Sequence, residues 1–224
     1  MKKVQKKDVI IKFIPIIFIV IMLCLGSLTI YLWVVSDKSL IWTLYIILKI
    51  FGWGILAVLM KNLYIASYKD QLTNLWNNRY LNLKLKSEVK KIKHNRNTCL
   101  TIAILDIDGF KDVNDKYGHL EGDKILVGLA SMLTDNVRQT DTVVRWAGDE
   151  FIIILPNTNK NDARKILERI KNKIEEHSFK YKITVSCGLI CIRNYIQLSD
   201  LIMRADKALY KAKKTKNTIV AYEI

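Results

Sequence analysis

The chain has 224 residues, room for one ordinary domain and a modest extra segment. Half of the residues are apolar, and two prolines and nine glycines exclude a collagen, a Pro-rich linker protein and a wholly disordered chain. Thirty-six basic against twenty-one acidic residues leave a formal +15, which points to polyanionic partners: nucleic acid, anionic lipid or nucleotide phosphates. The four cysteines, Cys24, Cys99, Cys187 and Cys191, have no C-x-x-C spacing and sit in apolar runs. With only three histidines, a zinc site is not expected, and reduced, buried thiols of a cytosolic domain are.

Phe13 to Val35 carries no charge over 23 residues, enough to cross a hydrocarbon core of ~30 Å as a helix. It is too long for a signal peptide's apolar region. Ser36-Asp37-Lys38-Ser39 turns the chain into a second apolar run, Leu40 to Met60. The reading is a two-span hairpin in the cytoplasmic membrane. Lys2, Lys3, Lys6, Lys7 and Lys12 precede it, and Lys61 and Lys69 follow it. That bias puts both termini in the cytoplasm. Lys49, in the middle of the second run, reads as a sensor or partner contact, as a lysine packed in a dimer interface, or as a sign of a different span register. Leu56, Leu59, Leu63 and Ala66 recur at helical spacing and carry the second span on as a stalk to about Asp70. The chain thus divides into a basic N-terminus (1–12), a membrane hairpin (13–60), a helical stalk (61–70) and a soluble domain (71–224).

Within the soluble domain, Arg79 to Lys93 reads as a basic amphipathic helix and Leu100 to Leu105 as a buried strand. Residues 121–137 read as a helix, and Thr142–Trp146 and Phe151–Leu155 as two strands around a tight turn. Asn161–Glu176 is helical, with Ala163, Ile166, Leu167, Ile170 and Ile174 on one face. Ile183–Ile192 reads as a strand, Ser199–Lys213 as a helix and Ile219–Tyr222 as a last short strand. Helices alternating with strands around one hairpin predict an α/β sandwich on a central, mixed sheet. The lysines of the first helix, with Arg96, read as a face toward anionic lipid. They lack the interleaved aromatics of a nucleic-acid platform, so nucleic acid is not an expected partner.

The strand at 100–105 runs into Asp106-Ile107-Asp108, and ligand sites of open sheets collect at strand ends. Asp106 and Asp108 share one side of an extended chain. Carboxylates emerging from an apolar run are costly unless a cation or hydrogen-bond donors compensate them. A second pair, Asp149-Glu150, sits in the hairpin turn behind Ala147-Gly148. If the hairpin neighbours the first strand, the carboxylates converge into a ligand set for Mg²⁺ completed by substrate phosphates.

The ordered string of motifs is longer than these pairs. Asp70-x-Leu72-Thr73-x-Leu75-x-Asn77-x-Arg79-x-Leu81 opens it, and Asp106-Ile107-Asp108-Gly109-Phe110 through Asn114 follows. Then come Gly118-His119-x-x-Gly122-Asp123, Arg145-Trp146-Ala147-Gly148-Asp149-Glu150-Phe151, Ser186-Cys187-Gly188 and Ala205-Asp206-Lys207-Ala208-Leu209-Tyr210-Lys211-Ala212-Lys213. Residues 70–224 in this order resemble the diguanylate cyclase family, named for its G-G-D-E-F signature. The resemblance implies a nucleotide-cyclase-like domain whose subunits each bind one GTP and meet as a homodimer to make cyclic di-GMP and two pyrophosphates.

It also implies roles. Asp106, the backbone carbonyl of Ile107, Asp149 and Glu150 would bind Mg²⁺ or Mn²⁺, with Asp149 helping to deprotonate the 3′-hydroxyl and Glu150 completing the metal site. Asn114 and Asp123 would read the guanine edge. Lys111 and Lys213 would face the phosphates, and Gly148 would let the backbone approach them. Arg138-Gln139-Thr140-Asp141 matches the family's R-x-x-D inhibitory site, where product binds through Arg138 and Asp141. His119 is expected to be structural. Ala147 stands where the signature has its first glycine, which matters only if that residue needs a positive φ. Asn74 and Asn78 replace a glycine and an arginine of the opening segment, and Lys213-Lys214-Thr215-Lys216-Asn217 lacks the K-x-x-G-R-N of the family: either one residue is deleted or its glycine and arginine have become Lys216 and Asn217. The competing expectation is a catalytically weak or inactive membrane-bound receptor for cyclic di-GMP or GTP.

Overall fold

The computed structural model describes residues 25–29, 31, 39–94, 98–177 and 179–223, and the chain divides after Lys61 into two compact units. Helix α1, Ser39–Ala66, spans the division. The expected first span, Phe13–Val35, lies for the most part outside the described residues; residues 25–29 and 31 of it are helical. Among the described residues a single helix is long and apolar enough to cross a membrane, Trp42–Ala66, with a mean hydropathy of 2.0. In the first unit Tyr45 donates its hydroxyl to the Leu25 carbonyl at 3.1 Å, and Lys49 Nζ lies 4.8 Å from the Tyr45 ring centroid. Lys49 therefore has an aromatic partner of its own chain one helical turn away.

Helix α1 ends at Ala66, four residues short of the expected stalk end. Ser67 and Tyr68 continue as a turn, and Asp70 then closes a second turn, its carboxylate accepting from the Thr73 N–H at 2.9 Å and the Thr73 hydroxyl at 2.7 Å. The second turn needs a left-handed residue, and Asn74 supplies it at φ 56°. Asparagine is the side chain best suited to stand in for glycine there.

The second unit carries β1 (Trp76–Asn77), α2 (Asn78–His94), β2 (Leu100–Ile107), α3 (Phe110–Tyr117), α4 (His119–Asp135), β3 (Thr142–Ala147), β4 (Glu150–Pro156), α5 (Lys160–Glu176), β5 (Val185–Ile192), α6 (Leu198–Thr215) and β6 (Ile219–Ala221). The sheet order is β1-β3-β4-β2-β5-β6. The four inner strands run antiparallel to one another, and β1 and β6 join the edges in parallel. The mixed sheet expected from sequence is thus observed, with two additions: the two-residue β1, and a separate helix α3 before Gly118.

Strand β2 reads as a continuous apolar run because both faces of the sheet are covered. Ala103, Leu105 and Ile107 point into one core layer with Leu129 and Leu133 of α4 and Leu167 and Ile170 of α5. Leu100, Ile102 and Ile104 point into the other, with Leu81 and Leu85 of α2 and Leu201 and Leu209 of α6. Side chains at i and i+2 share a face, so one strand feeds both layers. Helix α6 lies so close to β5 that a Cβ at Gly188 would sit 2.1 Å from the Leu209 nitrogen and 2.4 Å from the Ala205 carbonyl oxygen. Helix α5 is capped by Asn159, which accepts from the Asp162 N–H at 3.0 Å. Such a cap is worth about 1 kcal/mol.

Candidate active site

Strands β2 and β4 pair so that Asp106 lies directly opposite Glu150, and β2 and β5 so that Asp106 also faces Ser186. The hairpin between β3 and β4 does neighbour the first strand, the condition on which convergence of the two acidic pairs rested. Its turn is Gly148-Asp149, closed by the pair Ala147–Glu150, and Trp146 is the extra residue of a bulge between Arg145 and Ala147. A bulge beside a two-residue turn aims the turn away from the sheet plane. The left-handed residue of this turn is Gly148, at φ 36°; Ala147 has no positive φ. The methyl group of Ala147 is exposed and its backbone is ordinary, so the replaced glycine costs the turn nothing.

Burial raises the Asp106 pKa, Lys213 opposes that, and Asp149 and Asp108 add to the rise. Glu150 is likewise raised by burial, then by Asp106, Asp149 and Asp206. These carboxylates are close enough to disfavour one another's charge. Lys213 of α6 answers them: its ammonium donates to the Asp106 carboxylate, to the Ile107 carbonyl at 3.0 Å, and lies 3.3 Å from Asp108. Its position is on the oxygens that the sequence assigned to a cation.

Asp108 is turned to a different task. Burial works to raise its pKa, but the Asn217 N–H (2.9 Å), the Ser186 hydroxyl (2.7 Å), the Thr184 hydroxyl (2.8 Å) and Lys213 together hold it below the ordinary value. With its side chain 4% exposed, it ties β2 to β5 and to the end of α6. The chain leaves α6 through Lys216 and Asn217, both left-handed at φ 56° and 46°, which delivers the Asn217 N–H to Asp108. Lys216 thus takes a backbone position suited to the glycine of the family pattern.

Does the donor set suit a divalent cation? Among the described residues no three His, Cys, Asp or Glu side chains converge on one point. Mg²⁺ needs only one or two carboxylates, the rest of its shell coming from water and substrate phosphates. Asp106, Glu150 and the Ile107 carbonyl are hard oxygens of the right kind, and the two carboxylates lack compensating positive charge beyond Lys213. The residues fit a partial shell that a substrate would complete.

On the other flank, α3 and α4 meet at Gly118. The Asn114 side-chain oxygen is buried there and is, among the described side-chain polar atoms, the buried one without a hydrogen-bond partner. It lies over Gly122, where a Cβ would come within 2.0 Å of it, and Asp123 is the next residue. A buried unpaired oxygen costs about 1–3 kcal/mol unless something arrives to donate to it. Lys111 is exposed on the first turn of α3. His119 is exposed at the start of α4.

Arg138 and Asp141 form the turn between α4 and β3. The Asp141 carboxylate accepts from the Arg138 backbone N–H at 2.8 Å, and its own N–H donates to the Arg138 carbonyl at 3.0 Å. Burial raises Asp141. The carboxylate therefore shapes the turn through backbone, and the exposed Arg138 lines two clefts of about 630 and 580 Å³, one toward α2 and one toward residues 69–76.

One connection was not apparent from the sequence. Arg145 donates to Asp70 at 3.0 Å and, through Nε, to the Gly148 carbonyl at 2.9 Å. A single guanidinium thus joins the turn after α1 to the turn carrying Asp149. The two partners are 75 residues apart, and no spacing rule reaches that far.

The family profile described as "Diguanylate cyclase, GGDEF domain" matches residues 67–218. The chain is 37% identical over 157 residues to the uncharacterized protein YtrP of Bacillus subtilis, covering 69% of this chain and 26% of that protein. It is 39% identical over 150 residues to the diguanylate cyclase DgcP of Pseudomonas aeruginosa, covering 65% and 22% respectively. The chain spans about a quarter of the length of these relatives. Among solved structures, the coiled coil and GGDEF domain of DgcB from Caulobacter crescentus in complex with c-di-GMP superposes with a TM-score of 0.75 at 25% identity, covering 82% of this chain and all of that one.

Proposed function

The chain belongs to the diguanylate cyclase family of GGDEF domains, and on that premise we propose that it condenses two GTP molecules into cyclic di-GMP and two pyrophosphates. The observation that carries the reading is the buried, unpartnered oxygen of Asn114. The N–H groups of a guanine edge are the donors it lacks, and Asp123 beside it adds a second acceptor. An adenine in the same pose would present its unprotonated N1 and its C2–H there and leave that oxygen unpaired, which is how a buried polar group selects one base.

In this reading Asn114 and Asp123 orient the base, while Lys111 and Lys213 neutralise the phosphates. Gly148 lets the turn backbone come close. Asp106, the Ile107 carbonyl, Asp149 and Glu150 would hold Mg²⁺ or Mn²⁺. The ion, when bound, would activate the 3′-hydroxyl and offset charge on the α-phosphate as pyrophosphate leaves. Asp149, on the exposed hairpin turn, takes the hydroxyl proton. Each chain offers one guanine site, so a symmetric product calls for a homodimer, with the two α-phosphates attacked in line across it.

We further propose that α1 is a membrane span, with the catalytic unit on the cytoplasmic side, supporting a role in signalling. Leu48, Ile50 and Phe51 are 68%, 67% and 66% exposed within the chain, as side chains facing lipid would be. Product binding at Arg138 and Asp141 would supply feedback inhibition, the arginine fork reading guanine and phosphate.

The test is the full chain in detergent with GTP and Mg²⁺, followed by chromatography. Cyclic di-GMP with pyrophosphate is the expected product. Arg138→Ala should raise the product concentration at which synthesis stalls by at least about tenfold. No product from folded dimer, with retained binding of cyclic di-GMP, would replace this reading with that of a receptor.

A further inference from the structure

Reduced, buried thiols were the expectation, and Cys187 is buried: it lies in the core, and burial pushes its thiol far up. The other two described cysteines are not. Cys99 and Cys191 are both free and only half-buried. Cys191 lies in β5 and Cys99 immediately precedes the neighbouring antiparallel β2: Thr101 pairs with Cys191, so Cys99, two residues earlier, takes the diagonal position to Cys191. Cys191 is near enough to Cys99 that, after burial, it adds to the rise of the Cys99 thiol pKa. The Cys191 sulfur also lies 3.9 Å from the Thr158 carbonyl oxygen.

We infer that Cys99 and Cys191 form an oxidisable dithiol, a site at which a peroxide converts the two thiols into one disulfide within the chain. Access is open on both sides. Cys99 lines the cleft of about 630 Å³ that also holds Arg138, and Cys191 lines a separate cleft of about 840 Å³ with Arg193 and Asn194. Geometry asks for a small adjustment. Diagonal pairs stand roughly 7–8 Å apart at Cα, and a disulfide needs roughly 4.4–6.8 Å. Cys99 precedes β2 instead of lying inside it, so no ladder pairing holds its side toward β5, and its carbonyl is anchored only from the other side, by the Asn157 N–H at 2.8 Å.

The chemistry balances without a cofactor. One thiolate attacks a peroxide oxygen, giving a sulfenic acid and hydroxide. The second thiol displaces the sulfenic oxygen, forming the S–S bond and releasing water. Two thiols and one hydrogen peroxide thus yield one disulfide and two waters. Burial, and then Cys191, raise the Cys99 thiol, while Arg193 lowers it. The first step therefore runs faster as pH rises above neutrality. The active-site end of β2 is Asp106, about 20 Å along the strand from Cys99. The bond would form remote from the nucleotide site and beside the Arg138 cleft.

The experiment treats the full chain in detergent at pH 8 with hydrogen peroxide, denatures it, alkylates the remaining thiols and maps the peptides. Two of the four cysteines should escape alkylation, in one cross-linked peptide pair joining Cys99 to Cys191, and dithiothreitol should restore both. Cys99→Ser and Cys191→Ser, close in size to the parent, should each abolish the cross-link, and Cys191→Ser should leave Cys99 as a sulfenic acid that dimedone traps. Four alkylated thiols after a treatment that oxidises half of added glutathione would overturn the inference. So would a bond that joins two chains or uses Cys24 or Cys187, and so would sulfinic acid at either position with no cross-link.

Discussion

Arg145 holds Asp70 at 3.0 Å with one end of its guanidinium and the Gly148 carbonyl at 2.9 Å with the other. The side chains are 15% and 25% exposed, so the pair is screened only in part. One rigid, planar group thus bridges the turn after α1 and the turn that carries Asp149.

Asp70→Asn should separate structure from function along this route. Burial works to raise the Asp70 pKa, but Thr73 and Arg145 outweigh it and hold it below the ordinary value. A depressed folded pKa contributes stability that is fully present above the unfolded value of ~3.9 and is lost as pH falls through the folded value. The parent chain should lose about 1 kcal/mol through that acid window, and the variant should lose less. Melting temperatures from pH 2.5 to 6 would show it; parallel curves would mean that the pair contributes nothing. In the synthesis assay the same variant should turn over about 10-fold more slowly, equivalent to about 1.4 kcal/mol of lost positioning.

Lys213→Ala removes the ammonium that lies on Asp106 and the Ile107 carbonyl. The expected result is a KM for GTP raised by about 10-fold, since one charge-assisted contact to phosphate is worth about 1.5–3 kcal/mol. Lys213→Arg should recover part of it. Titration with a fluorescent GTP analogue, without turnover, provides the check, and unchanged affinity would remove Lys213 from the phosphate site.

Gly188→Ala tests the closeness of α6 and β5. Its Cβ would meet backbone atoms of Leu209 and Ala205, which cannot rotate aside. Overpacking of this kind costs about 3 kcal/mol. Urea denaturation of the variant should show a lower midpoint with an unaltered slope, and a neutral result would mean that the helix can lift away.

Asn74 occupies a left-handed position at φ 56°. Asn74→Gly should be neutral or slightly stabilising, and Asn74→Ala should lose about 1 kcal/mol. Thermal melts of both variants decide it, and equal melting temperatures would show that the turn can adopt another form.

Much of this molecule could be read from its residues. β2, β4 and β5 announce themselves as short, β-branched runs, and α5 and α6 as apolar stripes at helical spacing; all five appear within two or three residues of their expected ends. Helix α3 was invisible because it has only eight residues, a single buried side chain in Phe110, and a left-handed Gly109 in place of a capping side chain. β1 is two residues long and is held by segments beside it, β3 on one side and Tyr68 and Lys69 on the other. The site divides in the same way. Asp106, Asp149 and Glu150 follow from carboxylates at strand ends, and Asn114 from a motif. Asp108 resembles its neighbour Asp106 in sequence and differs only in what surrounds it: Ser186, Thr184 and Asn217 arrive from 76 to 109 residues away. The Cys99–Cys191 pair was missed for a related reason. Strand register decides which thiols meet, and register is a property of two segments together.

The φ of 36° at Gly148, and the absence of a positive φ at Ala147, bear on how signatures of this type are scanned. Two adjacent glycines invite equal weight in a pattern search, yet only the second is demanded by the backbone of this turn. A filter that discards chains for a missing first glycine would reject this one over a solvent-facing methyl group. One that insists on the second glycine and the two acidic residues after it would keep chains whose hairpin geometry is intact.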